Sequence, residues 1–153
     1  MILTATESKS TFTQHPEGIY RAKLVEVITH NKKTGEPFKL KDMNGNDKER
    51  LALVFQSEAE TEKEAGTENC TIWDWHNIPS NITNEAGNLH KRLVGLGVKI
   101  DGDFDTDDLL GLDCKITVEY DSEKDKSKIL SAKPLKESEA WEGADYEPYN
   151  DSN

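Results

Sequence analysis

Residues 70–78 read CTIWDWHNI, and the interpretation of the whole chain starts from this stretch. It is rich in β-branched and aromatic residues and is followed by a proline, which predicts a β-strand. Because side chains alternate across a strand, Trp73 and Trp75 share one face, and Asp74 and His76 share the other. Two indoles on one face predict a stacking platform for flat ligands such as nucleobases. Burial of both tryptophans in a core is the alternative, and the pattern leaves both open.

Two upstream segments are predicted to be strands of the same sheet. Residues 49–56 alternate large and small apolar side chains, so this strand is expected to be buried on both faces. Residues 18–33 form a longer strand in which the apolar alternation changes phase at Leu24 and Val25. A phase change inside a strand predicts a β-bulge, and such a bend lets one strand belong to both sides of a small barrel.

The downstream half is predicted to contain a helix and two further strands. Within residues 81–97, three leucines recur at i, i+4 and i+7, and Val94 is expected to widen this apolar stripe. Residues 114–120 and 128–133 are predicted strands. The chain is therefore predicted to be all-β with one or two short helices, in the order strand, strand, strand, helix, strand, strand.

Composition limits the classes of protein to consider. A chain of 153 residues with 34% hydrophobic residues fits one domain with a modest core. No apolar run reaches the length of a membrane span, and the N-terminus lacks a secretory signal, so we expect a cytoplasmic protein without membrane contact. Cys70 and Cys114 are expected to be reduced and buried.

Charge is distributed unevenly along a chain whose net charge is -11. Residues 20–50 carry eight Lys or Arg against five Asp or Glu, whereas residues 137–153 carry six acids and no Lys or Arg. Ordinary acidic solubility is one explanation, and a basic ligand site with a separate acidic segment is the other. We predict a loose N-terminal arm at 1–17, a folded domain at 18–136 and a disordered acidic tail at 137–153.

Signals for catalysis and metal binding are weak. The four histidines have no zinc-ligand spacing, no glycine loop for phosphates is present, and the acidic run 101–108 departs from a calcium loop at two required positions. Asp74 and His76 on one strand face are expected to form a buried hydrogen-bonded pair rather than a general base. We therefore predict no enzymatic activity, no catalytic residue, no metal and no cofactor.

Several short motifs coincide with these elements: GIYRA at 18–22 with TGEPF at 34–38, LHKRLVGLG at 89–97, DDLLG at 107–111 and ITV at 116–118. Their order and spacing over residues 18–135 resemble phage-encoded single-stranded-DNA-binding proteins of the OB-fold kind. This resemblance implies a five-stranded OB-fold barrel with a helix between strands 3 and 4. It also implies single-stranded-DNA binding in replication or recombination, with an acidic C-terminal tail that recruits partner proteins and competes with DNA.

Sequence-independent binding of a single strand requires cations along a groove and flat side chains that stack on bases. The predicted stacking residues are Trp73, Trp75 and Phe38. The predicted phosphate-binding cations lie in the basic half of the chain and are Arg21, Lys23, Lys32, Lys33, Lys39, Lys41 and Arg50. A solvated surface is the alternative role for any one of these lysines.

The tail differs from the family pattern at its end, because such tails often finish on an apolar or aromatic residue and this one finishes Asp-Ser-Asn at 151–153. Trp141, Tyr146 and Tyr149 are therefore predicted to bind replication or recombination proteins. The alternative function is an OB-fold protein-interaction module whose acidic segments mimic nucleic acid and which binds none. The sequence leaves homo-oligomer formation open.

Overall fold

The computed structural model describes residues 14–41, 43–63, 66–79, 81–83, 87–102, 104–146 and 148. These residues form one antiparallel sheet of six strands, one α-helix and two 3₁₀ helices. The strands are β1 (Gly18–Ile28), β2 (Phe38–Lys41), β3 (Asp47–Lys63), β4 (Gly66–Asn77), β5 (Asp113–Asp121) and β6 (Lys126–Pro134). Helix α1 (Asn88–Gly95) lies between β4 and β5, and the 3₁₀ helices are Thr106–Leu109 and Glu137–Glu139. The predicted all-β class is confirmed.

Strand β3 is central in the sheet. It pairs with β4 along one edge and with β1 and then β2 along the other. The first half of β1 pairs with β5 and its second half pairs with β3, and the β1–β3 register shifts between Leu24 and Glu26. The predicted bulge is therefore confirmed, and it lets β1 serve both sides of the curved sheet.

The two end strands of the sheet, β4 and β6, approach each other within 8 Å between Cα atoms. No backbone ladder joins them in the part of the chain that the structure describes, so the sheet is not closed. The side chain of Arg92 on α1 crosses this gap instead. Its Nε donates to Asp74 Oδ2 on β4 at 2.8 Å, and its Nη2 donates to the Ile129 carbonyl on β6 at 3.0 Å.

The number of strands differs from the five that were expected. Residues 38–41, predicted only as a short extended piece, form β2 because they pair with the first four residues of β3. The turn between them contains Gly45 at φ +82°, a left-handed conformation that glycine adopts without steric cost. The result is a hairpin that extends the sheet beyond the end of β1.

Helix α1 covers the inner face of the sheet, as predicted. Leu89, Leu93 and Leu96 are at most 5% exposed and pack with the inner residues of the strands. Val94 was expected to join this stripe, but it is 51% exposed, because one residue turns the helix by about 100° away from Leu93. Gly97 follows the helix at φ +86°, in the left-handed conformation that commonly ends helices.

Both cysteines are buried and neither is part of a disulfide, which agrees with the expectation of reduced thiols. Burial in the apolar core, with a smaller contribution from the neighbouring Asp113 carboxylate, raises the pKa of the Cys114 thiol to about 12. At neutral pH this thiol is protonated and packs as a small apolar side chain.

The predicted arm is described from residue 14 onward, and residues 1–13 lie outside the described residues. His15 is 2% exposed, and its imidazole hydrogen-bonds the Ser57 hydroxyl on β3. Burial lowers the pKa of His15, which favours the neutral ring. The Gln14 side chain accepts a hydrogen bond from the Ser127 backbone N–H on β6 at 3.0 Å. The end of the arm therefore packs on the domain.

The acidic C-terminal segment was expected to be disordered, but its described part lies against β1 and β3. The Gln56 side chain donates to the Asp145 carbonyl at 3.0 Å, and the Tyr146 hydroxyl donates to the Glu26 carboxylate. Arg21 donates to the Glu139 carbonyl at 3.5 Å. On the side of the acidic segment, these contacts use two backbone carbonyls and the Tyr146 hydroxyl. The prediction of disorder relied on the number of acidic residues, which does not reveal such contacts. Residues 147 and 149–153 lie outside the described residues.

Within the described ranges, no helix has both the length and the apolar character needed to cross a bilayer.

Candidate nucleic-acid interface

The alternation in β4 separates a buried face from a partly exposed one. Asp74 and His76 are each 8% exposed and point inward, toward α1. Trp73 and Trp75 are half-buried on the opposite face, beside the exposed Thr71. The structure thus identifies the tryptophan face as the outer one, which the sequence pattern had left open.

Phe38, Arg50, Trp73 and Trp75 form an aromatic cluster on this outer face. The two indole centroids are 5.7 Å apart, and the Phe38 ring meets Trp75 edge-on at 5.1 Å. The Arg50 guanidinium carbon lies 5.0 Å from the Trp75 ring centroid, within cation–π range. The cluster therefore joins three predicted stacking residues and one predicted cation.

Each tryptophan also has a packing role beneath the cluster. Trp73 lies opposite Val54, and Trp75 lies opposite Ala52, in the β3–β4 ladder. Both small residues are 0% exposed, although they point away from the main core. The indoles thus cover the outer face of β3 with one side and keep the remainder exposed. The two tryptophans are therefore neither part of the main core nor fully exposed.

A groove of about 650 Å³ runs beside this cluster, between β4, α1 and the β5–β6 hairpin. We call it the basic groove, because five cationic side chains and two carboxylates line it among the residues that the structure describes. These are Lys91, Arg92, Lys124, Lys126 and Lys128, against Asp74 and Asp121. Trp73 and Trp75 form its aromatic wall.

Four of the five cations are lysines that extend into solvent. Lys128 lies 3.8 Å from Glu119, a long and exposed ion pair, and the other three have no ion-pair partner among the described residues. Exposed pairs of this kind contribute about 0–1 kcal/mol, so an anionic ligand can replace the partner. The groove therefore presents exposed positive charge beside the two indoles.

Two smaller pockets adjoin the basic groove across Trp73. One, of about 320 Å³, is lined by the end of the arm, including His15, together with Trp75 and Lys126. The other, of about 240 Å³, we call the tail pocket; Gln56, Thr71, Asp145 and Tyr146 are among its lining residues. Trp73 lines all three cavities, so its indole is a wall that they share.

Most of the cations predicted from sequence lie elsewhere. Arg21 pairs with Glu58 at 3.0 Å, and this hydrogen-bonded partner holds the pKa of the Glu58 carboxyl below its usual range. Lys23 pairs with Asp113 at 2.6 Å, and Lys41 pairs with Asp47 at 3.2 Å. Lys32 pairs with Glu26 at 3.2 Å, and Lys33 and Lys39 are exposed outside the basic groove. Of the predicted cations, only Arg50 contacts the aromatic cluster.

The lysines of the basic groove were not singled out from sequence. A signal was present, since Lys124, Lys126 and Lys128 recur at every second position across the β5–β6 turn. Side chains alternate between the two faces of a strand, so every second residue lies on the same face. Nothing in the sequence, however, shows that this face meets β4, because that contact depends on the curvature of the sheet.

Asp74 forms the centre of a buried charged triad behind the groove. Its Oδ2 lies 2.7 Å from His76 Nε2 and accepts from Arg92 Nε at 2.8 Å. The three side chains are 7–15% exposed. The expectation of a buried hydrogen-bonded pair is confirmed, and Arg92 extends the pair into a link between β4, α1 and β6.

The predicted partner-binding aromatics differ in their surroundings. Trp141 is half-buried, whereas the Tyr146 hydroxyl is bonded to Glu26 and the ring lines the tail pocket. Tyr149 lies outside the described residues. In the part of the chain that the structure describes, no three His, Cys, Asp or Glu side chains converge as a metal site requires.

Comparison with known proteins adds no family assignment: no family model matches the chain, and a search of curated proteins returns no match.

Proposed function

We propose that the protein binds single-stranded DNA without sequence preference and without catalysis, in the cytoplasm, during phage-type replication or recombination. The observation that carries this proposal is the basic groove beside Trp73 and Trp75. A single strand offers a line of phosphates and a series of unpaired bases. Lysines on one wall and indoles on the other match these two features.

The strand order supports an OB-fold assignment within this proposal. When β2 is set aside, the other five strands form an antiparallel sheet with α1 between the third and the fourth, which is the element order of an OB-fold. In that fold, oligonucleotides bind over the second and third strands and the adjoining loops, including the one between the fourth and fifth. Here those positions are β3, β4 and the β5–β6 turn, which carry the aromatic cluster and Lys124 and Lys126.

The net charge of -11 does not oppose the proposal, because the field at the groove depends on local charge. Each stacked base contributes about 1–3 kcal/mol, independently of its identity. Each neutralised phosphate releases counterions, so affinity falls as salt rises. If the four groove lysines each neutralise one phosphate, we expect affinity to fall about 50-fold between about 50 and 200 mM salt.

Replacing Lys126 with glutamine tests which surface contacts the strand. The slope of log affinity against log salt is expected to become shallower by about 0.7, the contribution of one phosphate contact on a single strand. Fluorescence anisotropy of a labelled oligo(dT) over a salt series measures this slope. Lys133→Gln is the matched control, because Lys133 is exposed on the same strand but does not line the basic groove. Equal slopes for both variants would contradict the assignment.

Deleting residues 137–153 is expected to tighten DNA binding several-fold at low salt and to have little effect at high salt. The deletion removes six carboxylates. Two residues of the deleted segment, Asp145 and Tyr146, line the tail pocket beside Trp73. A matched control deletes only residues 149–153, which removes one carboxylate and none of the described contacts. If the long deletion leaves low-salt affinity unchanged, the tail does not compete with DNA.

We also propose that the tail recruits replication or recombination proteins, with Trp141 and Tyr146 as anchors. Tyr146 contacts Glu26 when the tail is docked, so displacement by DNA would release it for a partner. The second candidate, a protein-interaction module that binds no nucleic acid, draws on the exposed acids of the β3–β4 hairpin, Glu60 and Glu68. Absence of oligo(dT) binding at low salt, even after removal of 137–153, would favour it.

A further inference from the structure

Gln56 is a buried polar residue that lines the tail pocket beside Trp73. It lies on the outer face of β3, opposite Thr71 in the β3–β4 ladder, and is 3% exposed. Its side chain lines the tail pocket together with Trp73. With the acidic segment docked, this pocket measures about 240 Å³, and Asp145 and Tyr146 form part of its wall.

Of the two polar atoms of the Gln56 amide, one forms a hydrogen bond with a described residue. Nε2 donates to the Asp145 carbonyl at 3.0 Å, whereas Oε1 is buried and accepts no hydrogen bond from any described residue. A buried acceptor without a donor disfavours the conformation that contains it. The described part of the docked tail therefore covers the Gln56 amide and accepts from its Nε2, but provides no donor for its Oε1.

We propose that Gln56 is a base-contacting residue: a DNA strand displaces residues 145–146 and places one base on Trp73, with the Gln56 amide hydrogen-bonded to the edge of that base. This inference rests on the proposed function. The Asp145 carbonyl occupies the position of the acceptor on the base, and the base adds the donor that Oε1 lacks.

An amide side chain can hydrogen-bond a base without selecting the base, which fits DNA binding that has no sequence preference. A glutamine side chain presents a donor and an acceptor side by side. Each of the four bases presents an adjacent donor and acceptor on its pairing edge. A half-turn of the amide about its terminal bond matches either order, so one residue can bond all four bases. Gln56 would thus raise the affinity for a strand that carries bases relative to an abasic strand, without selecting among the four bases.

The test compares two oligonucleotides on the full-length protein, oligo(dT) and the same length carrying difluorotoluene in place of thymine. Difluorotoluene keeps the shape and stacking surface of thymine and lacks its hydrogen-bonding edge. We expect wild type to bind oligo(dT) about three- to tenfold more tightly, the contribution of one net hydrogen bond. In Gln56→Met this ratio is expected to fall by the same factor. Thr117→Val is the control, because Thr117 is half-buried on β5 and lines none of the three cavities, and it should keep the wild-type ratio.

The outcomes separate this inference from the function on which it rests. Equal wild-type affinity for the two oligonucleotides overturns the base contact and leaves DNA binding standing, and this measurement does not require that a variant folds. A ratio that persists in folded Gln56→Met also overturns it. Failure of wild type to bind either oligonucleotide at low salt overturns both proposals.

Discussion

Replacing Trp73 with alanine is expected to weaken binding of oligo(dT) by about 5- to 150-fold, the contribution of one stacked base. Trp73 carries the largest expected effect because it lines the basic groove and both adjoining pockets. A strand bound in any of these cavities would contact its indole. Anisotropy titration at low salt measures the loss.

Two further variants separate stacking from folding. Trp73→Phe keeps a smaller aromatic face and is expected to lose less affinity than Trp73→Ala. Leu110→Ala is a control for removal of exposed apolar surface, because Leu110 is 49% exposed and lines none of the described cavities. Urea unfolding of each variant shows whether the fold is retained. A folded Trp73→Ala protein with wild-type affinity would exclude stacking, and an unfolded one would show that Trp73 belongs to the core.

Trp75→Ala is expected to change both binding and stability. Its ring contacts Phe38 and lies near the Arg50 guanidinium, so it connects β2 to the rest of the outer face. Loss of this ring leaves the Ala52 side of β3 uncovered. For this reason Trp73 is the better residue for a test of function.

Replacing Asp74 with alanine is expected to destabilise the fold by about 3–5 kcal/mol, because removal of one partner leaves the other charge of a buried pair uncompensated. Arg92 would lose the carboxylate that balances it, and His76 would lose its hydrogen-bond partner. The effect should be global, since Arg92 links β4 and β6 where no described backbone ladder does. Urea unfolding followed by tryptophan fluorescence gives the free energy.

Asp47→Ala is the matched control for this prediction. Asp47 also accepts from a cation, Lys41, but the two side chains are 53% and 72% exposed. An exposed pair contributes about 0–1 kcal/mol, so this variant should unfold near the wild-type midpoint. The double variant Asp74→Leu, Arg92→Met removes both charges and should recover part of the lost stability. A loss of less than about 1 kcal/mol in Asp74→Ala would contradict a structural role for the triad.

Features that depend on neighbouring residues in the chain could be predicted well. The phase change at Leu24 and Val25 located the β1 bulge, and the leucine spacing located the buried stripe of α1. The pairing of Asp74 with His76 followed from their shared strand face. Each of these is set by local backbone geometry, which repeats with a fixed period along the sequence.

The candidate site could be predicted only in its aromatic half. Phe38, Trp73, Trp75 and Arg50 lie together, but the lysines of the basic groove come from α1 and the β5–β6 hairpin, between 16 and 53 residues beyond Trp75 in the chain. A basic composition in residues 20–50 pointed to different side chains, several of which are neutralised by Glu58, Asp113 and Asp47. Composition counts charges and does not reveal which are paired.

The sequence by itself determined an all-β chain with a bent first strand, a helix with one apolar face and two indoles side by side. Only the tertiary structure decided that those indoles face outward, that the basic groove lies next to them and that the acidic segment docks over Gln56. The physical reason is range. Strand and helix periodicity is a property of adjacent residues, whereas the groove exists because sheet curvature brings β6 back to β4.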